Sequence, residues 1–164
     1  MDTLLPLAEQ IAATLVARGE TVAVAESATG GLISAALLAV PGASAYYRGG
    51  GVIYTPRARA ALVNISREDM EPIGLRGATE PYAVLLADRA RNLLNTTWGV
   101  SESGASGPTG NRYGDAAGHS CMAVTGPRAA VITIETGSSD RIANMRTFAH
   151  RALTLFAETL AAAR

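Results

Sequence analysis

The chain has no lysine: all 14 of its Lys-or-Arg positions are arginine. That absence excludes every mechanism that needs a lysine amine from this chain, as nucleophile or as base. Cysteine is nearly absent too, and the lone Cys121 cannot close an intrachain disulfide. The two histidines have no cysteine or carboxylate at ligand spacing, so neither a metal nor another cofactor is expected. A reducing, cytoplasmic setting follows as the simplest expectation. Net charge is missing as well, because 14 acidic side chains offset the arginines. Binding to nucleic acid or to an anionic membrane surface is therefore not expected. No apolar run approaches the roughly 20 residues that span a bilayer. The N-terminus lacks a basic segment leading into a secretory apolar core, so the chain reads as mature soluble protein.

What is present suits one hydrophobic core. The 164 residues are enough for one domain and too few for two, and aromatics at 5% leave Ala, Val, Leu and Ile to build the interior. Helical spacing of apolar residues covers 4–17, stopped by Arg18-Gly19, and 21–25 reads as a strand buried on both faces. A second helix is expected over 29–40, before Pro41-Gly42, then a short strand over 51–54 and a helix over 56–63 with Pro56 in its first turn. Loops and short helical turns fill 64–79, and "EPYAVLLADRARNLLN" makes the next helix. A strand over 97–101 leads into a long Gly-rich loop, "ESGASGPTGNRYGDAAGH". Strands at 119–125 and 130–135 form a hairpin, and 139–162 is a final helix. This order predicts an α/β fold: a three-layer α/β/α sandwich with a mixed, mostly parallel sheet.

Four segments can carry chemistry. In Glu26-Ser27-Ala28-Thr29-Gly30-Gly31 a serine lies where strand passes into helix, near the positive end of a helix dipole. Ser27 or Thr29 can equally be a helix cap, the commoner use of such residues. The turn matches neither the Gly-x-Ser-x-Gly elbow nor a lysine-bearing phosphate loop. In "RGGGVIYTPRAR", Tyr54 can donate or relay a proton and Arg57 or Arg59 can bind an anion; a strand-end tyrosine with solvated arginines is the plain alternative. The Gly-rich loop can turn backbone amides toward an anion, with Glu102, Arg112, Asp115 and His119 as polar additions, or be only a surface loop. In "ETGSSDRIANMR", serine and aspartate suit a helix cap, while Arg141 and Arg146 can reach an anionic ligand or lie solvated.

Together the segments "AESATGG", "VPGASAYYRGGGVIYT", "GATEPYAVLLADRAR", "SGASGPTG" and "TGSSDR" resemble the CinA C-terminal domain family, which includes nicotinamide mononucleotide deamidases. The resemblance runs from the first helix to the last and implies a single domain over 1–164. It implies a cytoplasmic hydrolase that converts the carboxamide of nicotinamide mononucleotide to the acid and ammonia. The implied partner is a small nucleotide substrate, and a homo-oligomer is compatible with it. The family's serine falls on Ser27, its strand-end tyrosine on Tyr54, and its glycine-rich nucleotide loop on Ser103 to Gly110, including Ser103, Gly104 and Gly107. The resemblance makes Ser27 the expected nucleophile. Amides of Thr29, Gly30 and Gly31 would stabilise an oxyanion, and Glu26, Arg112, Arg141 and Arg146 join the expected substrate contacts.

Two departures stand out. In one, "TGNRYGDAAGHS" replaces the relatives' more usual Gly-Gly-rich segment and brings Arg112, Asp115 and His119 close in sequence to the expected site; the other concerns the base. Relatives continue after the tyrosine as Tyr-Ser-Asn-Glu-Ala-Lys, and that lysine is the expected base; here Arg59 occupies its place. A guanidinium has donors and no acceptor, so it cannot take the serine proton. Tyr54, Glu26 or His119 then stand as substitutes. A chain that binds a pyridine nucleotide without efficient turnover is the alternative expectation.

Overall fold

A computed structural model describes residues 1–163. Five strands form one open sheet: β1 (Val22–Glu26), β2 (Tyr47–Val52), β3 (Trp98–Ala105), β4 (His119–Thr125) and β5 (Ala130–Glu135), in the order β2-β1-β3-β4-β5. The β2/β1 and β1/β3 ladders are parallel, and β3/β4 and β4/β5 are antiparallel. Only β4 therefore runs against the rest, and the sheet is mixed as the sequence implies.

Among the described residues, six α-helices flank the sheet: α1 (Leu5–Arg18), α2 (Leu32–Leu38), α3 (Pro56–Val63), α4 (Arg67–Met70), α5 (Glu80–Leu93) and α6 (Arg141–Ala162). The two-residue period of the strands sorts their side chains by size. Val22, Val24, Trp98, Val100, Met122 and Val124 pack with α1, α2 and α6 in the larger core. Phe156 of α6 meets Trp98 edge-on there, ring centroids 5.9 Å apart. The opposite face carries Ala23, Ala25, Cys121 and Ala123 against α5. Small residues on that face let the helix sit close. A Cβ on Gly99 would lie 2.1 Å from the Ala87 carbonyl oxygen, so only glycine permits this approach.

Local chemistry sets most boundaries. Thr55 caps α3 and Thr79 caps α5, each followed within two residues by proline, and the Asp140 side chain accepts from Ala143 N–H to open α6. Three expectations shift. Helix α2 starts at Leu32 and not at Thr29, because Gly30 and Gly31 sit at φ +63° and +102° in a turn. Strand β2 runs over Tyr47–Val52 and not 51–54, taking in Gly49 and Gly50, which read as loop; a Cβ on Gly50 would come 2.3 Å from the Val24 carbonyl oxygen. Strand β3 continues past Ser101 to Ala105, because β4 pairs with it along its whole length. No helix among the described residues is long and apolar enough to cross a membrane.

Candidate functional site

The parallel strands β1, β2 and β3 all end on one edge of the sheet, where open α/β sheets bind ligands. Ser27 follows β1, Tyr54 follows β2, and the Gly-rich loop follows β3. Ser27, Tyr54, Arg59, Ser103, Gly104 and Arg112 line one cavity of about 350 Å³ there. That is within the range of small-ligand sites. A second cavity of about 220 Å³ adjoins it, sharing Tyr54, Gly104 and Asn111, and is lined further by Ala28, Gly107 and Arg141. Arg141 donates to the Gly107 carbonyl at 2.6 Å and to the Tyr54 hydroxyl at 3.3 Å, joining α6, the Gly-rich loop and the end of β2.

Two buried carboxylates organise the serine turn from below. Glu26 accepts from the Gly31, Ile33 and Ser34 amides at 3.0, 3.1 and 2.9 Å, and from the Ser34 hydroxyl at 2.6 Å. The α2 N-terminus is thus capped by Glu26 and not by Ser27 or Thr29. Glu102, on β3, accepts from the Ser27 and Thr29 amides at 3.2 and 2.9 Å and from the Ser120 hydroxyl at 2.7 Å. The Thr29 hydroxyl lies 2.6 Å from Glu26 and 3.1 Å from Glu102, and its one proton serves one of them at a time. Burial is the largest influence on Glu102 and pushes its carboxyl above the ordinary range, against the hydrogen bonds that favour the charged form.

These bonds correct the expected oxyanion donors. Thr29 N–H serves Glu102, Gly31 N–H serves Glu26, and Gly30 N–H serves the Ser27 carbonyl at 3.0 Å. Among the described residues, the amide of the turn left without a partner is Ala28 N–H, next to Ser27. The Ser27 hydroxyl also has no partner there and opens into the larger cavity.

Other expected residues stand apart. Glu26 and Thr29 are fully buried beneath the turn, Gly30 is packed toward Met145 of α6, and Arg146 is an exposed side chain of α6; none of these, nor Gly31, lines either cavity. His119 is not brought to Ser27 as a base. Its Nδ1 pairs with Glu135, its Nε2 faces the Ala78 carbonyl at 2.8 Å, and it lines neither cavity. Burial, the largest influence, pulls its pKa down, but Glu135, the Ala78 carbonyl and nearby Asp115 together raise it, favouring the imidazolium. His119 and Ser103, whose Oγ accepts from Ala78 N–H at 3.1 Å, clamp Ala78 in the left-handed region at φ +55° in the cavity wall.

The Glu102 contact is hidden in the sequence, where Glu102 opens a stretch with the composition of a loop; only as part of strand β3, with Ser101 and Ser103 on the other face, does it reach the serine turn. Asn144, buried on α6, is hidden as well; it donates to the Ser106 and Ser138 carbonyls at 2.8 Å each and steadies the Gly-rich loop. A polar residue at i−4 from the core residue Phe148 was the available signal.

Fold and site thus define an α/β protein with a cleft built around a serine turn at the ends of its parallel strands. The chain belongs to the CinA C-terminal domain family, whose family model matches residues 4–160. A CinA-like protein of Gloeobacter violaceus is 40% identical over 121 residues, 74% of this chain and 28% of that protein. One from Anaeromyxobacter sp. (strain K) is 38% identical over 151 residues, 91% of this chain and 36% of that protein. The chain therefore spans about a third of the length of these curated relatives. Among solved structures, a competence-damaged protein (CinA) superfamily protein from Klebsiella pneumoniae superposes with TM-score 0.87 at 25% identity, covering 97% of this chain and 98% of that one.

Proposed function

We infer that the chain is a serine amidohydrolase of the nicotinamide mononucleotide deamidase type. One observation carries the reading: an unpartnered serine hydroxyl and the unpartnered amide next to it, Ala28 N–H, stand between two adjoining cavities, one of which holds Arg141. Ser27 Oγ adds to the carboxamide carbon, and Ala28 N–H supports the oxyanion that forms. The C–N bond then breaks, nitrogen leaves as ammonia with the proton that Ser27 gave up, and water hydrolyses the acyl-serine to the acid. Tyr54 and Ser103, among the hydroxyl residues of the cavity wall, are the proposed relays for that proton. Arg141 and the amides of the Gly-rich loop suit the ribose phosphate.

A second reading, a nucleotide-binding protein with little turnover, is favoured by Arg59. It lines the cavity at the position expected for a basic amine and has no acceptor to offer. Ammonia release from nicotinamide mononucleotide, measured on wild type beside Ser27→Ala, separates the two. Release in wild type and its loss in the variant, with calorimetric binding retained, is the expected result. Nucleotide binding by wild type without ammonia release establishes the second reading. Equal turnover in Ser27→Ala ends the serine mechanism.

A further inference from the structure

Two arginines, Arg59 and Arg112, line the Ser27 cavity, and Arg141 lines the adjoining one. Among the described residues no acidic side chain lines either cavity, although acidic and basic residues are equal in number over the chain. The carboxylates beneath the serine turn, Glu26 and Glu102, are engaged by its amides and by hydroxyl groups. The cleft is therefore cationic by local arrangement and not by composition.

Arg59 is only 8% exposed and forms no salt bridge among the described residues. On its other side it borders a third cavity, whose one carboxylate, Glu71, pairs with Arg67. Its Nε donates to the Ile65 carbonyl at 3.2 Å, which leaves the two Nη groups for another acceptor. Burial, the largest influence, raises the pKa of the Tyr82 phenol, and the neighbouring Arg59 charge opposes it; Tyr82 lines the Ser27 cavity, so the guanidinium stands at that wall. A cation buried without a counter-ion is costly unless an anion joins it. The paired Nη edge clasps both oxygens of a carboxylate, whereas a carboxamide offers it one oxygen and no charge.

On the nucleotide reading the phosphate lies with Arg141 and the Gly-rich loop, so the anion that meets Arg59 belongs to the ring end of the ligand. The carboxyl and the phosphate of a pyridine mononucleotide are at opposite ends, separated by ring and ribose, and two adjoining cavities can hold both at once. We propose that the preferred ligand of this cleft is the acid and not the amide: a pyridine mononucleotide with its carboxylate at Arg59 in the Ser27 cavity and its phosphate at Arg141. Deamidation then yields a product that binds more tightly than the substrate and holds the site. The inference rests on the nucleotide reading of the cleft and not on turnover.

The test titrates the full chain carrying Ser27→Ala, so that neither ligand is consumed, with nicotinate mononucleotide and with nicotinamide mononucleotide in a calorimeter. The acid is expected to bind at least about tenfold more tightly. Adding Arg59→Met should weaken the acid selectively and bring the two within about twofold. Its melting temperature should hold or rise, because the change removes a buried unpaired charge. Arg59→Gln makes the same comparison if the methionine variant does not fold, and the acid-to-amide ratio of the Ser27→Ala chain needs no change at Arg59. Equal affinities for acid and amide in that chain, or a preference that survives the loss of Arg59, overturn the proposal. So does an equal weakening of both nucleotides, which would put the phosphate at Arg59. Binding of neither nucleotide ends the nucleotide reading and the proposal with it. Preference for the acid, in a protein whose wild type releases no ammonia, ends the amidohydrolase reading and leaves the proposal standing. Ammonia release with equal affinities does the reverse.

Discussion

Replacing Glu26 by alanine tests whether this carboxylate belongs to the fold or to the substrate. It takes three backbone amides and the Ser34 hydroxyl at the start of α2, and the Thr29 hydroxyl lies 2.6 Å away. Ile33 is fully buried, so water cannot replace the lost acceptor at its amide, at a cost of about 1–3 kcal/mol. Gly31 and Ser34 are partly exposed, and each amide then loses about 0.5–1.5 kcal/mol as water takes over. Removing a negative charge from a helix N-terminus adds roughly 0.3–1 kcal/mol. The Thr29 hydroxyl can turn fully to Glu102 and is left out of the cost. Glu26→Ala should therefore lose about 4 kcal/mol, a large part of the 5–15 kcal/mol typical of a domain. With a urea slope near 2 kcal/mol/M, the unfolding midpoint falls by about 2 M. Glu26→Gln retains one acceptor oxygen and should fall between the two. Urea unfolding followed by far-ultraviolet circular dichroism measures all three proteins. A midpoint shift below about 0.5 M in Glu26→Ala, roughly 1 kcal/mol, would refute the reasoning. Such a result combined with lost nucleotide affinity would return Glu26 to the substrate contacts.

Two further outcomes follow from the packing and charge. Gly99→Ala must push α5 off β3, because the clash is with the Ala87 backbone and no side chain can turn away; it should destabilise by about 3 kcal/mol, and a change within about 0.5 kcal/mol would show that the helix yields freely. His119 has a folded pKa raised above its ordinary value near 6.5, so its contribution to stability is fully present below pH 6.5 and is lost as pH rises through the folded value. Urea stability should accordingly fall between pH 6 and a pH above that value more in wild type than in His119→Gln; equal losses in both proteins would show that the Glu135 and Ala78 contacts do not hold the imidazolium.

Much of the fold was legible because its signals are local. The two hairpin strands at 119–125 and 130–135 and the helix at 56–63 are observed at the predicted residues, each marked by a turn or a proline that acts within a few positions. The edge strand β2 was legible only at its end, since Gly49 and Gly50 read as loop; the close approach of Gly50 to the Val24 carbonyl on β1, which leaves no room for a side chain, exists only in the folded sheet. At the site, Ser27, Tyr54, Arg59 and Ser103 are legible as candidates in the sequence and line one cavity. Glu26 and His119 are equally prominent in the sequence, but their polar atoms face the turn, β5 and the Ala78 carbonyl.

The sequence by itself determined the helix-and-strand order, the absence of any lysine amine and the segments from which a serine site can be built, because composition, caps and periodicity act over short stretches. Tertiary structure alone decided which polar groups are occupied. Glu102 meets the Ser27 turn from 75 residues away through the β1/β3 ladder, and Arg59 is buried with no carboxylate beside it. Hydrogen bonds and desolvation depend on what the fold brings within about 3 Å, and no spacing along the chain records that.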